Sequence, residues 1–139
     1  MSSMSIKYTT PEALIALAVE AKQRAYCPYS KFQVGAAVVV ENGDVFTGCN
    51  VENACYPVGV CAERTAICKA VSEGHRKVEI LALTSNADTM TYPCGLCRQT
   101  IREFGTEVTI YCASKDGSYE THDLNEMLPL SFGPESLGQ

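Results

Sequence analysis

The sequence predicts a three-layer α/β/α domain, with helices covering both faces of one mixed five-stranded sheet. Three observations carry this expectation. Runs of small and β-branched residues alternate with helical repeats. Two pairs of these runs are joined by links too short for anything but a hairpin. One strand-helix-strand stretch demands a parallel crossover. A chain of 139 residues buries a core without cross-links, so one domain, 1–139, is expected. An apolar fraction of 46% and a charged fraction of 19% are those of an ordinary globular protein, not a disordered or fibrous one.

Thr10-Pro11-Glu12 opens the first helix: a hydroxyl cap, then proline where its missing N–H costs nothing, then an acid at the positive end. Leu14, Leu17, Ala18, Ala21 and Ala25 repeat at helical spacing until Tyr26-Cys27-Pro28-Tyr29 ends it. Val34 to Val40 reads as a strand buried on both faces. Glu41-Asn42-Gly43-Asp44 turns the chain into a second, antiparallel strand from Val45 to about Val51. Val78 to Thr84 and Val108 to Cys112 read as two more buried strands. Helices are expected from Ala62 to about Ser72, ended by Gly74, and from Leu96 to Phe104, ended by Gly105. After Cys112 only Ala113 to Gly117 precede a last strand, Ser118 to Thr121. A crossover helix does not fit there, so this pair is also a hairpin. A short helix, Leu124 to Leu128, precedes Pro129.

Eleven basic residues against sixteen acidic ones leave a net charge of −5, which repels polyanions and favours a small neutral or cationic ligand over nucleic acid. No stretch approaches the roughly 20 apolar residues of a membrane span, and Met1-Ser2-Ser3-Met4 lacks a leader's apolar core. A cytoplasmic protein is expected. Its eight cysteines would then be reduced and would act as core fillers, metal ligands or catalytic groups before disulfides.

The informative pattern is Cys61-Ala62-Glu63-Arg64, followed about thirty residues on by Pro93-Cys94-Gly95-Leu96-Cys97-Arg98-Gln99. Each cysteine group opens a predicted helix, where free N–H groups and the positive dipole end favour the thiolate that zinc requires. Cys94 and Cys97 face one side of a helical turn and can share a metal, with Cys61 as third ligand. Structural zinc sites are closed, whereas catalytic ones keep a place for water, whose pKa the metal lowers to about 7. Glu63, two residues from a ligand, is placed to carry that water's proton.

For the Cys-x-x-Cys pair alone, a structural zinc knuckle or a redox pair is the commoner outcome. A structural site needs a fourth ligand, and neither His75 nor His122 stands at finger-like spacing. Both are expected to be surface histidines. Cys27, Cys49, Cys55, Cys68 and Cys112 are expected to pack in the core.

These residues resemble the small zinc-dependent cytidine deaminases that act on free nucleosides. The resemblance runs from Pro28-Tyr29-Ser30-Lys31-Phe32 through Val34-Gly35-Ala36-Ala37, Gly48 to Ala54 and the two cysteine groups to Leu128-Pro129 and Phe132-Gly133-Pro134, nearly the whole chain. It implies the cytidine-deaminase-like form of the fold, one Zn²⁺ per chain and hydrolysis of cytidine and 2′-deoxycytidine to uridine and 2′-deoxyuridine in pyrimidine salvage. It also implies a homotetramer with shared active sites, with no nucleic acid or membrane partner.

Carried over by motif, Cys61, Cys94 and Cys97 hold the metal and Glu63 is catalytic. Phe32 packs on the base, Asn50 and Glu52 bind the ribose hydroxyls, and Ala62 and Tyr56 line the substrate site. Phe132 reaches a base bound mainly by another subunit. Phe32 and Phe132 read without the resemblance as core or interface aromatics, and Asn50 as a turn residue. Three thiolates on one divalent cation sum to −1, which weakens a Lewis acid. Arg64 restores the balance if it donates to sulfur; a surface ion pair is its alternative. Rival enzymes are deaminases of another aminopyrimidine, such as blasticidin S, or of bases in RNA or DNA. A zinc-stabilised binding module without activity is the non-enzymatic rival.

Overall fold

The computed structural model describes residues 5–139; the N-terminal Met1–Met4 stretch read above for a leader lies outside them. Its elements are β1 (Ile6–Lys7), α1 (Pro11–Lys22), β2 (Val34–Val40), β3 (Asp44–Cys49), α2 (Ala62–Ser72), β4 (Val78–Ser85), α3 (Gly95–Glu103), β5 (Thr109–Ala113), β6 (Tyr119–Asp123) and α4 (Leu124–Met127). Single 3₁₀ turns occupy Tyr56–Val58 and Pro134–Leu137. The sheet order is β1-β3-β2-β4-β5-β6. Both expected hairpins are antiparallel, β2 with β3 and β5 with β6, and β4 pairs with β5 in parallel across α3. The five expected strands are joined by a sixth, β1. It is a two-residue edge strand with both side chains exposed, so no alternation marks it in the sequence.

All seven residues of β2 are buried, as a central strand covered on both faces requires. One apolar layer lies under α1, with Leu14, Ile15 and Ala18 against Ala37, Val39 and Ala82. The other lies under α2, α3 and α4, with Ala66, Ile67, Ile101 and Leu124 against Val38, Leu81, Leu83 and Ile110. Thr10 caps α1, its hydroxyl accepting from Ala13 N at 3.1 Å. The helix stops at Lys22, three residues short of the expected Ala25; Gln23 and Arg24 form a turn, after which Tyr26 bridges to Val51.

Two glycines let the layers meet. A Cβ on Gly35 would strike the backbone of α1 at Ala18, and one on Gly48 would strike α2 at Ala62 and Ala66. The second contact seats the first turn of α2 directly on β3, which fixes where Cys61, Ala62 and Glu63 stand relative to the sheet.

The expectation that every remaining cysteine fills the core needs correction. Cys112 is buried, Cys27 and Cys49 are half-buried, and Cys55 and Cys68 are exposed. Cys68 lies between core positions Ala66, Ile67 and Ala70 but points away from the sheet, because α2 buries only one stripe. Cys55 lies in the loop before the 3₁₀ turn. The two histidines are also not bare surface groups. His75 sits between Glu41 (3.1 Å) and Asp44 (3.9 Å), and His122 between Glu120 (2.8 Å) and Glu126 (3.7 Å).

Candidate active site

Cys61 and Cys94 are the N-cap residues of α2 and α3, both in extended conformation, and neither side chain caps its own helix. Their thiols are therefore free for another partner, beside first-turn N–H groups that stabilise negative sulfur. Cys97, one turn into α3, is buried. The three sulfurs form a triangle: Cys61 to Cys94 is 3.9 Å, Cys94 to Cys97 is 3.4 Å, and all lie within 4.8 Å of one another. Tetrahedral zinc with Zn–S bonds of about 2.3 Å sets its sulfurs about 3.8 Å apart, so the triangle fits that ion. Among the described residues no fourth His, Cys, Asp or Glu joins the group, which leaves one tetrahedral position for a non-protein ligand.

The electrostatics suit a cation. The Cys61 thiol is held down to about 5, first by a hydrogen bond shared with Cys97 and then by Arg64, whose Nη2 donates to its sulfur at 3.7 Å. That sharing and burial push Cys97 in the opposite direction. Arg64 Nε is buried and has no hydrogen-bond partner among the described residues.

Glu63 is 4% exposed. Burial raises its carboxyl to about 7, with the neighbouring Cys61 charge adding to the effect. A divalent cation in the sulfur triangle would pull both Glu63 and Cys97 back down.

The triangle opens on a cleft of about 420 Å³, lined by Phe32, Val34, Asn50, Glu52, Tyr56, Ala62 and Glu63 as well as Cys61 and Cys94. That volume and largely apolar lining are those of a small-molecule site. The fold thus brings Phe32, Asn50, Glu52, Tyr56, Ala62, Glu63 and Arg64 to one cavity from four separate parts of the chain. Phe132 is not among its walls. It is 61% exposed on the tail, where Gln99 Nε2 donates to its carbonyl at 2.9 Å.

Asn50 and Glu52 have structural tasks as well. The Asn50 side chain accepts from Val34 N at 2.8 Å and donates to Phe32 O at 2.7 Å, bracing the segment that presents Phe32. Glu52 accepts from the N–H groups of Tyr29 and Ser30 at 3.1 Å each and from the Ser30 hydroxyl, which holds its carboxyl below the usual range. It borders an adjoining hollow of about 320 Å³ with Tyr29, Asn53 and Gly59.

Thr91, Tyr92 and Leu96 also line the cleft and were not expected from the sequence. Thr91 and Tyr92 belong to the loop between β4 and α3, whose lack of periodicity gives no sign of which side chains face inward. Arg98 is another unforeseen part of the frame. It donates to Pro93 O and to Met127 O, both at 2.8 Å, tying the Pro-Cys turn to α4. A signal was present in its place one residue after Cys97, on the turn of α3 next to the metal ligands.

Known proteins share this arrangement. Residues 8–113 match the family model for the cytidine and deoxycytidylate deaminase zinc-binding region. The cytidine deaminase of Sporosarcina psychrophila is 43% identical over 127 residues, covering 91% of this chain and 93% of that one. The crystal structure of the cytidine deaminase from Burkholderia pseudomallei is similar with a TM-score of 0.86 at 39% identity, covering 89% of this chain and all of that one. The cytidine deaminase from Mycobacterium tuberculosis superposes with a TM-score of 0.79 at 36% identity, covering 91% and 99% of the two chains. Sulfur ligands at two helix starts, a carboxyl buried beside them and a match over most of the chain agree: this chain belongs to the zinc-binding cytidine and deoxycytidylate deaminase family.

Proposed function

We propose that this chain catalyses the hydrolytic deamination of cytidine and 2′-deoxycytidine to uridine and 2′-deoxyuridine with release of ammonia, a reaction of pyrimidine salvage. The observation that carries the reading is the sulfur triangle with Glu63 buried beside it at the floor of one cleft. Cys61, Cys94 and Cys97 hold Zn²⁺, one per chain. When bound, the zinc supplies Lewis acidity that makes water nucleophilic near neutral pH.

The remaining work falls to side chains of this chain. Phe32 presents its ring to the pyrimidine, and Asn50 and Glu52, at the end of β3 and beyond, take the sugar hydroxyls with the hydrogen-bonding capacity they retain. Glu63 takes a proton from the attacking water and passes it to ring N3 as the C4–O bond forms. It then takes the proton of the new C4 hydroxyl and hands it to the amine as the C4–N bond breaks, so that the C4 carbonyl forms and ammonia leaves. A buried carboxyl beside the sulfur triangle is placed to accept a proton and return it, which such a relay requires. Arg64 offsets the excess negative charge of three thiolates through its bond to Cys61.

The chain acts as a homotetramer with shared sites. Tyr29, Phe32, Val51, Tyr56, Val58 and Leu96 are large apolar side chains, each more than 40% exposed, around or near the cleft mouth, and Phe132 is exposed on the tail. An apolar rim of this kind is suited to a second copy of the chain, with Phe132 of one copy closing the cleft of another. Cytoplasmic location is part of the same reading; among the described residues no helix is long and apolar enough to cross a membrane.

Ammonia release from cytidine, 2′-deoxycytidine, blasticidin S and a cytidine-containing oligonucleotide, with and without a zinc chelator, tests the assignment. Turnover of the two nucleosides alone, abolished by the chelator, is expected. Turnover of the oligonucleotide or blasticidin S in preference to cytidine would overturn it.

A further inference from the structure

Tyr92 is the aromatic residue of the cleft wall closest in sequence to the Cys94 ligand, and it belongs to neither apolar core layer of the described residues. It is 48% exposed, so packing covers only about half of its surface. What it has instead is a polar tether running across the surface to β6. Its hydroxyl donates to Glu120 Oε1 at 2.8 Å, and that oxygen also meets His122 Nε2 at 2.8 Å. The far nitrogen of the same imidazole lies 3.7 Å from Glu126 Oε2 on α4. The Tyr92 and His122 rings meet edge to face, with centroids 5.9 Å apart. Residue 91 is fixed separately: the Thr91 hydroxyl meets Ser85 Oγ at 2.6 Å and its N–H donates to Ala113 O at 3.2 Å. Thr91 and the Tyr92 side chain are thus held by different partners, and among the described residues the hydrogen bond of the Tyr92 side chain goes to β6.

We infer that Tyr92 is a substrate-positioning wall of the cleft and that Glu120 and His122, outside the cleft, are positioning residues that set its ring. This inference rests on the cleft being the cytidine site. A side chain held in place before binding loses less rotamer freedom when substrate arrives, so its tether contributes to binding. A wall contacting ground state and transition state alike acts on KM and leaves kcat alone.

The test compares Tyr92→Phe, Glu120→Ala, Glu120→Gln, His122→Gln and the Tyr92→Phe/Glu120→Ala double variant with the parent, by cytidine kinetics and zinc content. Tyr92→Phe and Glu120→Ala should each raise KM about fivefold, the effect of having to immobilise one untethered side chain on binding, with kcat and bound zinc unchanged. Glu120→Gln keeps an acceptor oxygen and should recover most of the loss, and His122→Gln should fall between. The double variant should be no worse than either single one, because both remove the same bond. An unchanged KM in Glu120→Ala, or additive losses in the double variant, would overturn the inference while leaving the cytidine reading intact. A parent enzyme with full zinc and no turnover of cytidine would remove both.

Discussion

Of the residues at the cleft and the sulfur triangle beneath it, the three cysteines and Glu63 are the ones whose chemistry shows in the sequence itself. Thiols at the first positions of two helices, with no fourth ligand at usable spacing, leave few alternatives, and the sulfur triangle has the size tetrahedral zinc needs. Arg64 carried two readings, ion pair or sulfur donor, and it reaches Cys61. Arg64→Gln should therefore retain one zinc per chain yet lower kcat by about tenfold, since outer partners of ligands typically matter at that level. Metal analysis alongside steady-state kinetics checks both halves. The lone cysteines were less legible, because a small apolar side chain suits core and surface alike. Cys68 on the open side of α2 should react quickly with a colorimetric thiol reagent. Cys112, which burial pushes up to about 12, should stay silent until the chain unfolds.

Element boundaries followed local chemistry where that chemistry was strong. The Thr10-Pro11 start, the Asn42-Gly43 turn and the Gly74 stop stand where they were expected. The two-residue β1 and the 3₁₀ turn at Pro134–Leu137 had no such markers. The latter owes its place to tertiary contacts, with Arg102 reaching Ser131 and Glu135 from α3. Close approach between elements is also invisible to periodicity. Gly48 lets α2 rest on β3, and Gly48→Val should cost about 1–3 kcal/mol through overpacking, lowering Tm by several degrees and releasing zinc at lower chelator concentration. The β6–α4 corner has a pH signature of its own. Glu120 first, then Glu126, holds the His122 pKa above 6.5, with the Tyr92 hydroxyl bonded to the same Glu120 oxygen. A raised imidazole pKa gives stability that is fully present below about 6.5 and lost as pH climbs through the folded value. His122→Gln should flatten the fall in Tm between mildly acidic and mildly alkaline buffer, a change that thermal unfolding across that range would reveal.

At the scale of the whole molecule, the two hairpins, the parallel crossover and the three-layer architecture were readable because short links and one crossover admit few topologies, whereas the β2–β4 pairing and the edge strand β1 were not. The complete cleft was not readable. Thr91, Tyr92 and Leu96 come to it through a loop and a helix turn whose inward faces only the folded chain defines. Exposed apolar side chains, Phe132 included, mark the surface that the proposed tetramer would bury. Light scattering should return four chains per particle, and Phe132→Ala should raise KM for cytidine if neighbouring copies close each other's clefts. The measurement that bears most directly on the chemistry is a paired one on Glu63→Gln: zinc per chain and ammonia released from cytidine. An amide preserves shape but cannot relay protons, so full zinc with turnover reduced by at least about a thousandfold is expected. Near-normal turnover in the zinc-loaded variant would contradict the assignment of Glu63 as the proton carrier.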